Sequence, residues 1–450
     1  MKNVEQFSGM KVLVLGLAKS GYAASKLLHS LGAHVVVNDA SPAEGNEEAT
    51  ALRLEGIQVI CGGHPKGILD EGFDVVVKNP GIPYSNPVVA EALQKNIPVW
   101  TEIELTSRIS EAPIIAITGS NGKTTTTTLL YHMLNIGGQH PLIAGNIGTV
   151  SCSVAEQATK DQIIVLEASS FQLMGTETFR PHMAIWTNLY DAHLDYHGSP
   201  EAYAKAKSAI TTNQTPEDYV IYNDDQPELR QYVLSSQATK VPFSLTGRKE
   251  QGISADDEQI YWNGEPYVKR SVIKLPGQHN LENILAATAV AILLGCDKTA
   301  IENVLSSFTG VRHRMQFVQE LKGRKFYNDS KATNTLATKS ALAAFHVPTI
   351  LLAGGLDRGQ SFEELRPYMT NVKVVVALGE TAESFATFAA SCGIEKIIRA
   401  EDVKDAVQKA YPLTVEGDII LLSPACASWD QYPSFEARGD QFIEAVMQLQ

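Results

Sequence analysis

Residues 113–136 read PIIAITGSNGKTTTTTLLYHMLNI, and no other stretch constrains the fold as strongly. Ile114 to Ile117 is an apolar run short enough for a buried strand. The pattern breaks at Gly119 and Gly122, and leucines return at helical spacing after Lys123. A strand, a glycine turn and a helix opening on Lys-Thr-Thr make a phosphate cradle. The glycines let backbone N–H groups close around phosphate oxygens, the helix N-terminus adds partial positive charge, and Lys123 adds a full one. Gly119, Ser120, Asn121, Gly122, Lys123, Thr124 and Thr125 are therefore expected to bind a nucleoside triphosphate. The hydroxyl of Thr124 or Thr125 falls where a phosphate-bound Mg²⁺ needs an oxygen. Ile117 departs from the general pattern, standing where a first glycine belongs. The alternative is an ordinary strand–turn–helix with a surface lysine.

At 450 residues the chain is long for one core, and a prior of about 150 residues per domain suggests three. The divisions expected are 1–103, 104–309 and 310–450. In the first, Lys11 to Gly16 (KVLVLG) reads as a buried strand, Gly21 to Ala33 as its helix, and His34 to Asp39 (HVVVND) as the next strand. This is a βαβ unit with an acidic residue closing its second strand. Gly16 and Gly21 keep two positions of the dinucleotide fingerprint, but Ala18 holds the one that must admit a pyrophosphate. A different nucleotide diphosphate, held at the helix start with Asp39 nearby, suits the pattern better than NAD. Phe73 to Lys78 (FDVVVK) is a further strand running into Asn79-Pro80-Gly81-Ile82-Pro83, a rigid turn that either meets a ligand or is merely structural.

In the central region Gln162 to Glu167 (QIIVLE) is an apolar strand ending in a carboxylate. Beside a phosphate loop, Glu167 is a natural Mg²⁺ ligand; the alternative is a solvated strand end. Met183 to Leu189 is another strand, followed by two histidines and two aspartates in seven residues: Asp191, His193, Asp195 and His197. Such a loop could ligate a divalent metal. Ser199 caps a helix with Pro200 at its first position, and Lys205 and Lys207 on it read as solvated lysines. Residues 247–274 alternate like meander strands at a sheet edge. LPGQHN then leads into LENILAATAVAILLGC, an apolar helix whose leading polar side chains either contact a base or ribose or cap the helix. Beyond Gly310, Lys325 to Asn328 (KFYN) leads into NDSKATN, and strands at 348–355, 373–379 and 418–423 alternate with helical patterns, which implies another mostly parallel sheet. The expected fold class is α/β in three domains: a Rossmann-like N-terminal domain, a central P-loop ATPase-type domain and a Rossmann-like C-terminal domain.

The formal charge of −13 argues against a nucleic-acid surface, and no run of 18 apolar residues suggests a membrane span. Five scattered cysteines without CxxC spacing fit reduced thiols in a cytoplasm and indicate neither zinc nor disulfides.

TGSNGKTTT, the Glu167 strand end, DAHLDYHG, GQHNLENILAA, HRMQ and NDSKATN occur in the order that characterises the ATP-dependent Mur ligases. The chain resembles that family along its whole length. The family motif itself lacks the glycine that Ile117 replaces, and Asn79 stands where serine is more usual. LSPACASWDQYPSFEARGDQF and NDSKATN look most like the branch that joins D-glutamate to UDP-N-acetylmuramoyl-L-alanine in peptidoglycan precursor synthesis.

The resemblance implies roles that spacing cannot supply. Gly16, Ala18, Lys19, Ser20, Asp39, Asn79, Gly81 and Asn146 would serve the UDP-muramoyl substrate. The phosphate loop, Asn280, Asn283, Arg314, Asp329 and Lys331 would hold ATP, with His313 beside them. Thr124, Glu167, His193 and Lys207 would hold two Mg²⁺ ions, Lys207 as a carbamate (N-carboxylysine), and Lys123, His193 and Lys207 would be catalytic. Thr333, Arg358, Ser428 and Phe435, with Lys331, would form the D-glutamate pocket. A cytoplasmic monomer is the expected form. The rivals are a sister ligase for another amino acid, an NAD oxidoreductase, which Ala18 weighs against, and a nucleotide-binding protein without chemistry.

Overall fold

The structure, a computed structural model, describes residues 1–449 with all their side chains except those of Asp195 and Leu336. The chain forms two compact units that part between Phe308 and Thr309. The first holds two sheets and the second holds one.

The N-terminal sheet comprises β1 (Lys11–Leu15), β2 (His34–Asp39), β3 (Gln58–Cys61), β4 (Val75–Lys78) and β5 (Val99–Trp100) in the order 3-2-1-4-5. All its pairings are parallel. Strand order reverses between β1 and β4, so the crevice at their carboxyl ends is where such a sheet takes a ligand. Gly16 and Asn79 lie there.

The central sheet comprises β6 (Ile114–Thr118), β7 (Pro141–Gly145), β8 (Ile163–Glu167), β9 (Met183–Trp186), β10 (Tyr219–Asn223), β11 (Thr239–Ser244), β12 (Ile253–Ala255), β13 (Gln259–Trp262) and β14 (Glu265–Lys269). Its order is 14-13-12-11-10-9-6-8-7, parallel from β7 to β12, with β13 and β14 as the antiparallel edge expected from the alternation at 247–274. Every residue of β6 and β8 is buried, which is why both read as continuous apolar runs rather than alternating ones. Helices Lys123–Ile136 and Gln278–Leu293 pack on each other, and the second also lies against β10, β11 and β12. That double contact explains an apolar character extending around most of its circumference.

The second unit carries β15 (Gln316–Leu321), β16 (Arg324–Asn328), β17 (Thr349–Gly354), β18 (Val372–Leu378), β19 (Lys396–Arg399) and β20 (Ile419–Leu422), ordered 15-16-20-17-18-19. Only β15 runs antiparallel among them. Apolar clusters cover both faces of this sheet.

Periodicity did not reveal β3, β5, β7, β11, β15, β16 and β19. Five of these are edge strands, half-paired and partly polar, and β11 carries Pro242. Among the described residues no helix is long and apolar enough to cross a membrane.

Candidate active site

The phosphate loop begins where β6 ends. Gly119 (φ +146°) and Gly122 (φ +82°) both take backbone conformations that a side chain resists. A Cβ at Gly119 would also lie 1.9 Å from Thr187 Oγ1, and one at Gly122 would lie 2.1 Å from Asn283 Oδ1. The loop is clamped from the chain that follows β9. Asn121 N–H donates to Asn188 Oδ1 (2.8 Å), and Asn121 O accepts from Asn188 Nδ2 (3.1 Å) and Thr187 Oγ1 (2.6 Å). Ser120 N–H donates to Asn188 O (3.0 Å), and the Ser120 hydroxyl donates to Tyr190 O (2.8 Å). Ile117 is fully buried within β6 and paired with Glu167 of β8. The cradle starts two residues later, so a side chain at 117 does not obstruct it.

Two ammonium groups converge on one carbonyl. Lys123 Nζ donates to Gly119 O (2.7 Å) and Ser120 O (3.0 Å), and Lys207 Nζ donates to the same Gly119 O (2.8 Å). Sequence reading made Lys207 a solvated helix lysine, but the structure overturns that. Helix Pro200–Ser208, capped by Ser199 Oγ as its sequence suggested, turns Lys207 inward, 1 % exposed, beneath the Tyr203 ring. Burial, and then the charge of Lys123, push the Lys207 ammonium well below the ordinary lysine range, while Glu167 opposes them.

Glu167 closes β8, almost wholly buried. Its Oε1 accepts from Asn146 Nδ2 (2.8 Å), whereas its Oε2 is buried without a hydrogen-bond partner. A buried carboxylate oxygen left without a donor is costly unless a cation meets it. Thr124 is buried in the first helical turn after the loop, and His193 (φ +55°) lies with its ring 5.0 Å from Phe171. A buried carboxylate oxygen and a threonine hydroxyl at the helix start beside a phosphate cradle are oxygen donors that fit a hard divalent cation. The described side chains of the two-histidine, two-aspartate loop do not converge on one point. His197 is turned inward, its Nε2 3.0 Å from Ser170 Oγ and its ring stacked on Phe171, and Asp191 is exposed. The Asp195 side chain lies outside those described. No group of three or more His, Cys, Asp or Glu side chains among the described residues could hold a metal ion.

At the N-terminal crevice, Gly16 (φ +94°) leaves no room for a Cβ beside Asn79 Nδ2, at 2.8 Å. Asn79 Oδ1 accepts from the Ser20 hydroxyl and from Gly21 N–H (3.2 Å). Ala18 precedes helix Lys19–Ser30 as its N-cap, and Lys19 and Gly81 are exposed. Asp39 accepts from the N–H groups of Leu17 (2.6 Å) and Ser41 (2.7 Å). Burial alone would raise its pKa, but those bonds hold it below the usual carboxylate range.

Asn283 is buried under the loop, its Oδ1 accepting from Thr126 Oγ1 (3.2 Å), while half-buried Asn280 donates to Pro276 O (2.6 Å). A cleft of about 600 Å³ opens beside the start of that helix, lined by Arg248, Tyr261, Arg270 and Gln278, and it touches no residue of the phosphate loop.

In the second unit, Asp329 accepts from Ser423 Oγ (2.9 Å) and Met315 N–H (3.1 Å), and burial pushes its carboxyl up to about 7. Lys331 Nζ lies 5.9 Å from the Phe435 ring, and the Arg358 guanidinium lies 4.9 Å from the Trp429 ring. Ser428 is buried; Thr333 is half-buried and its N–H donates to Lys331 O (2.9 Å). His313, expected beside ATP, is buried against Gly439, its Nδ1 3.0 Å from Asn328 Nδ2, and Arg314 next to it is half-buried. Sequence reasoning missed Arg438, whose buried guanidinium donates to Ser330 O (2.8 Å), Ser330 Oγ (3.0 Å) and Cys426 O (3.1 Å). It also missed Thr187 and Asn188, which only the fold brings to the loop.

A phosphate-loop α/β domain, preceded and followed along the chain by Rossmann-like domains, defines a class of nucleotide-using protein. The chain belongs to the Mur ligase family. Residues 10–101 match the MurD-like N-terminal domain of Mur ligases, 117–291 the Mur ligase middle domain, and 313–426 the Mur ligase glutamate ligase domain. It is 56 % identical over 450 residues to the UDP-N-acetylmuramoylalanine–D-glutamate ligase of Geobacillus kaustophilus (strain HTA426), covering all of both chains. It is 53 % identical over 449 residues to the enzyme of that name from Bacillus cereus (strain AH187), again covering all of both. Among solved structures, UDP-N-acetylmuramate-alanine ligase MurC from Thermotoga maritima aligns with a TM-score of 0.57 at 20 % identity, over 97 % of this chain and 99 % of that one. MurF ligase from Thermotoga maritima in complex with ADP aligns with a TM-score of 0.56 at 18 % identity, over 99 % and 96 %. These two likenesses are of fold.

Proposed function

We propose that this chain is an ATP-dependent ligase joining D-glutamate to UDP-N-acetylmuramoyl-L-alanine, releasing ADP and phosphate, in cytoplasmic peptidoglycan precursor synthesis. The observation that carries the reading is the convergence of Lys123 and Lys207 on Gly119, beside a buried Glu167 with one unpartnered oxygen. A cluster of that composition is built to handle a triphosphate and the cation bound to it. Full-length identity to relatives bearing the D-glutamate ligase name supports the choice of amino acid.

The substrate's alanyl carboxylate attacks the γ-phosphorus, an acyl phosphate forms, and ADP leaves. The amine of D-glutamate then attacks the acyl carbon; the amide forms as phosphate departs and the nitrogen loses its proton. Lys123 and the loop N–H groups stabilise charge on the transferring phosphoryl group. Thr124, Glu167, His193 and Lys207 are the residues that would hold Mg²⁺, which supplies further neutralisation of phosphate charge when bound. We assign Lys207 as a carbamate, formed when its neutral amine adds CO₂ and loses a proton. Deep burial favours the amine, and the product is an anion where a cation's ligand is wanted. Gly16, Ala18, Lys19, Ser20, Asp39, Asn79, Gly81 and Asn146 serve the UDP-muramoyl substrate in this reading. Asn280, Asn283, Arg314, Asp329 and Lys331 serve ATP, and Thr333, Arg358, Ser428 and Phe435 serve D-glutamate. The corresponding domains are 1–103, 104–309 and 310–450, in a monomer.

The test is phosphate release with ATP, Mg²⁺ and UDP-N-acetylmuramoyl-L-alanine, adding D-glutamate, L-lysine, meso-diaminopimelate or D-alanine separately. Release with D-glutamate alone, with the amide product found by mass, supports the reading. Release with another amino acid overturns the assignment of the second unit.

A further inference from the structure

The Asn79–Pro83 turn is gripped from two sides by groups with no assigned role. Lys78, the last residue of β4, is 1 % exposed. Its ammonium turns back on the turn it precedes, donating to Ile82 O (2.9 Å) and Pro80 O (3.1 Å), with Asn79 O at 3.4 Å. Burying an ammonium is costly, and the carbonyl ring replaces part of its hydration while fixing the backbone that supplies it. From the central domain, Tyr196 OH donates to Ile82 O (3.0 Å), with Pro80 O at 3.4 Å. Tyr84, just past the turn, donates to Met174 O (2.9 Å).

Tyr196 stands three residues after His193. Its ring meets Phe171 edge-on at 4.6 Å, and the Phe171 ring is in turn 5.0 Å from the His193 ring. Phe171 belongs to the short helix Ser170–Leu173 that follows Glu167, held by the Ser169–Gln172 capping box. Gln172 Nε2 also donates to Glu102 Oε1 (2.6 Å). Carbonyls of the substrate turn, Tyr196, Phe171 and His193 thus form one contiguous packed chain between the two domains of the first unit.

We propose that Tyr196 and Lys78 are positioning residues that latch the turn to the His193 loop, so that the UDP-sugar and the metal–nucleotide complex each strengthen the other's binding. This rests on the ligase reading above. Neither group touches a reacting atom; each acts through the backbone it holds. Breaking the latch therefore uncouples two sites without emptying either.

The experiment is titration calorimetry on the full chain. Mg²⁺–ADP is titrated with and without saturating UDP-N-acetylmuramoyl-L-alanine, for wild type, Tyr196→Phe and Lys78→Met. Wild type is expected to bind Mg²⁺–ADP at least about fivefold more tightly when the UDP-sugar is present. Tyr196→Phe, which loses one hydroxyl and no volume, should bring that ratio below about twofold while each ligand's separate affinity and the Tm hold. Lys78→Met reaches the turn from the other side and should give the same loss. A ratio near one in wild type, or an undiminished ratio in Tyr196→Phe, overturns the latch. Failure of wild type to bind the UDP-sugar at all overturns the ligase reading instead, and the latch with it.

Discussion

Lys207 Nζ donates to Gly119 O at 2.8 Å, and the two residues are 88 positions apart in the chain. The bond joins a buried helix lysine to the first residue of the phosphate loop, at the oxygen that Lys123 also engages. Lys123→Ala should therefore remove the charge nearest the transferring phosphoryl group while leaving the loop anchored by Lys207, Asn188 and Thr187. ADP formation should fall at least ~10³-fold, about 4 kcal/mol of transition-state stabilisation, with Tm nearly unchanged. A coupled ADP assay and a melting curve check both. Residual turnover within tenfold of wild type would remove Lys123 from its role.

Lys207→Gln leaves a slightly shorter, uncharged polar side chain that cannot add CO₂. Activity should drop at least ~10²-fold, the scale expected for a lost ligand or phosphate-side charge. Wild type in ¹³C-bicarbonate should show a carbamate carbon resonance absent from the variant. An identical spectrum in both would refute the carbamate.

Asn188 gives three hydrogen bonds to the loop, one through its backbone carbonyl and two through its amide. Asn188→Ala deletes the two amide bonds and leaves Asn121 with the bond from Thr187 Oγ1. The KM for ATP should rise about tenfold, ~1.4 kcal/mol, the order expected for one or two hydrogen bonds. The KM for D-glutamate is the internal control and should stay within twofold.

The loop itself was legible in the chain because few residue types tolerate φ near +146° or +82°, and because Lys-Thr-Thr at a helix start has a specific electrostatic purpose. Lys207 was not. Two positions from Lys205 on a polar-looking helix, it differs from a solvated lysine only by which face the fold covers. Asn188 and Thr187 likewise acquire meaning only once β9 is seen beside β6. In the histidine-and-aspartate loop, the local density of ligating residue types did not tell the two histidines apart: His197 is turned onto Ser170 and Phe171. The strand cores could be read because parallel strands buried on both faces must be apolar throughout. Edge strands obey no such demand.

Arg438 joins the Ser330 turn to the Cys426–Ser428 turn, and burial pulls its guanidinium down to about 10. Its three acceptors have no water to fall back on. Arg438→Met should cost roughly 3 kcal/mol or more, seen as a lower urea midpoint for the second unit. Arg438→Lys should recover only part of this, since an ammonium cannot span both turns in one plane. Equal stability of Arg438→Met and wild type would show that the two turns hold themselves.

Asp329 offers a pH test with a definite sign. Its folded carboxyl sits at about 7, against 3.8 for the ordinary group, because it is buried between Ser423 and Met315. A raised carboxyl pKa means the folded state prefers the proton. The resulting stabilisation is complete below about pH 4 and is lost as pH rises through 7, because the folded protein must then carry a buried anion that the unfolded chain exposes to water. Asp329→Asn carries no such charge at any pH. Its Tm relative to wild type should therefore improve between pH 5 and pH 8, by about 4 °C or more for an ionisation penalty on the order of a few kcal/mol. Calorimetric scans of both proteins at the two pH values decide it. A Tm difference independent of pH would mean that the carboxyl is already ionised at pH 5, with Arg314 or another cation compensating the burial.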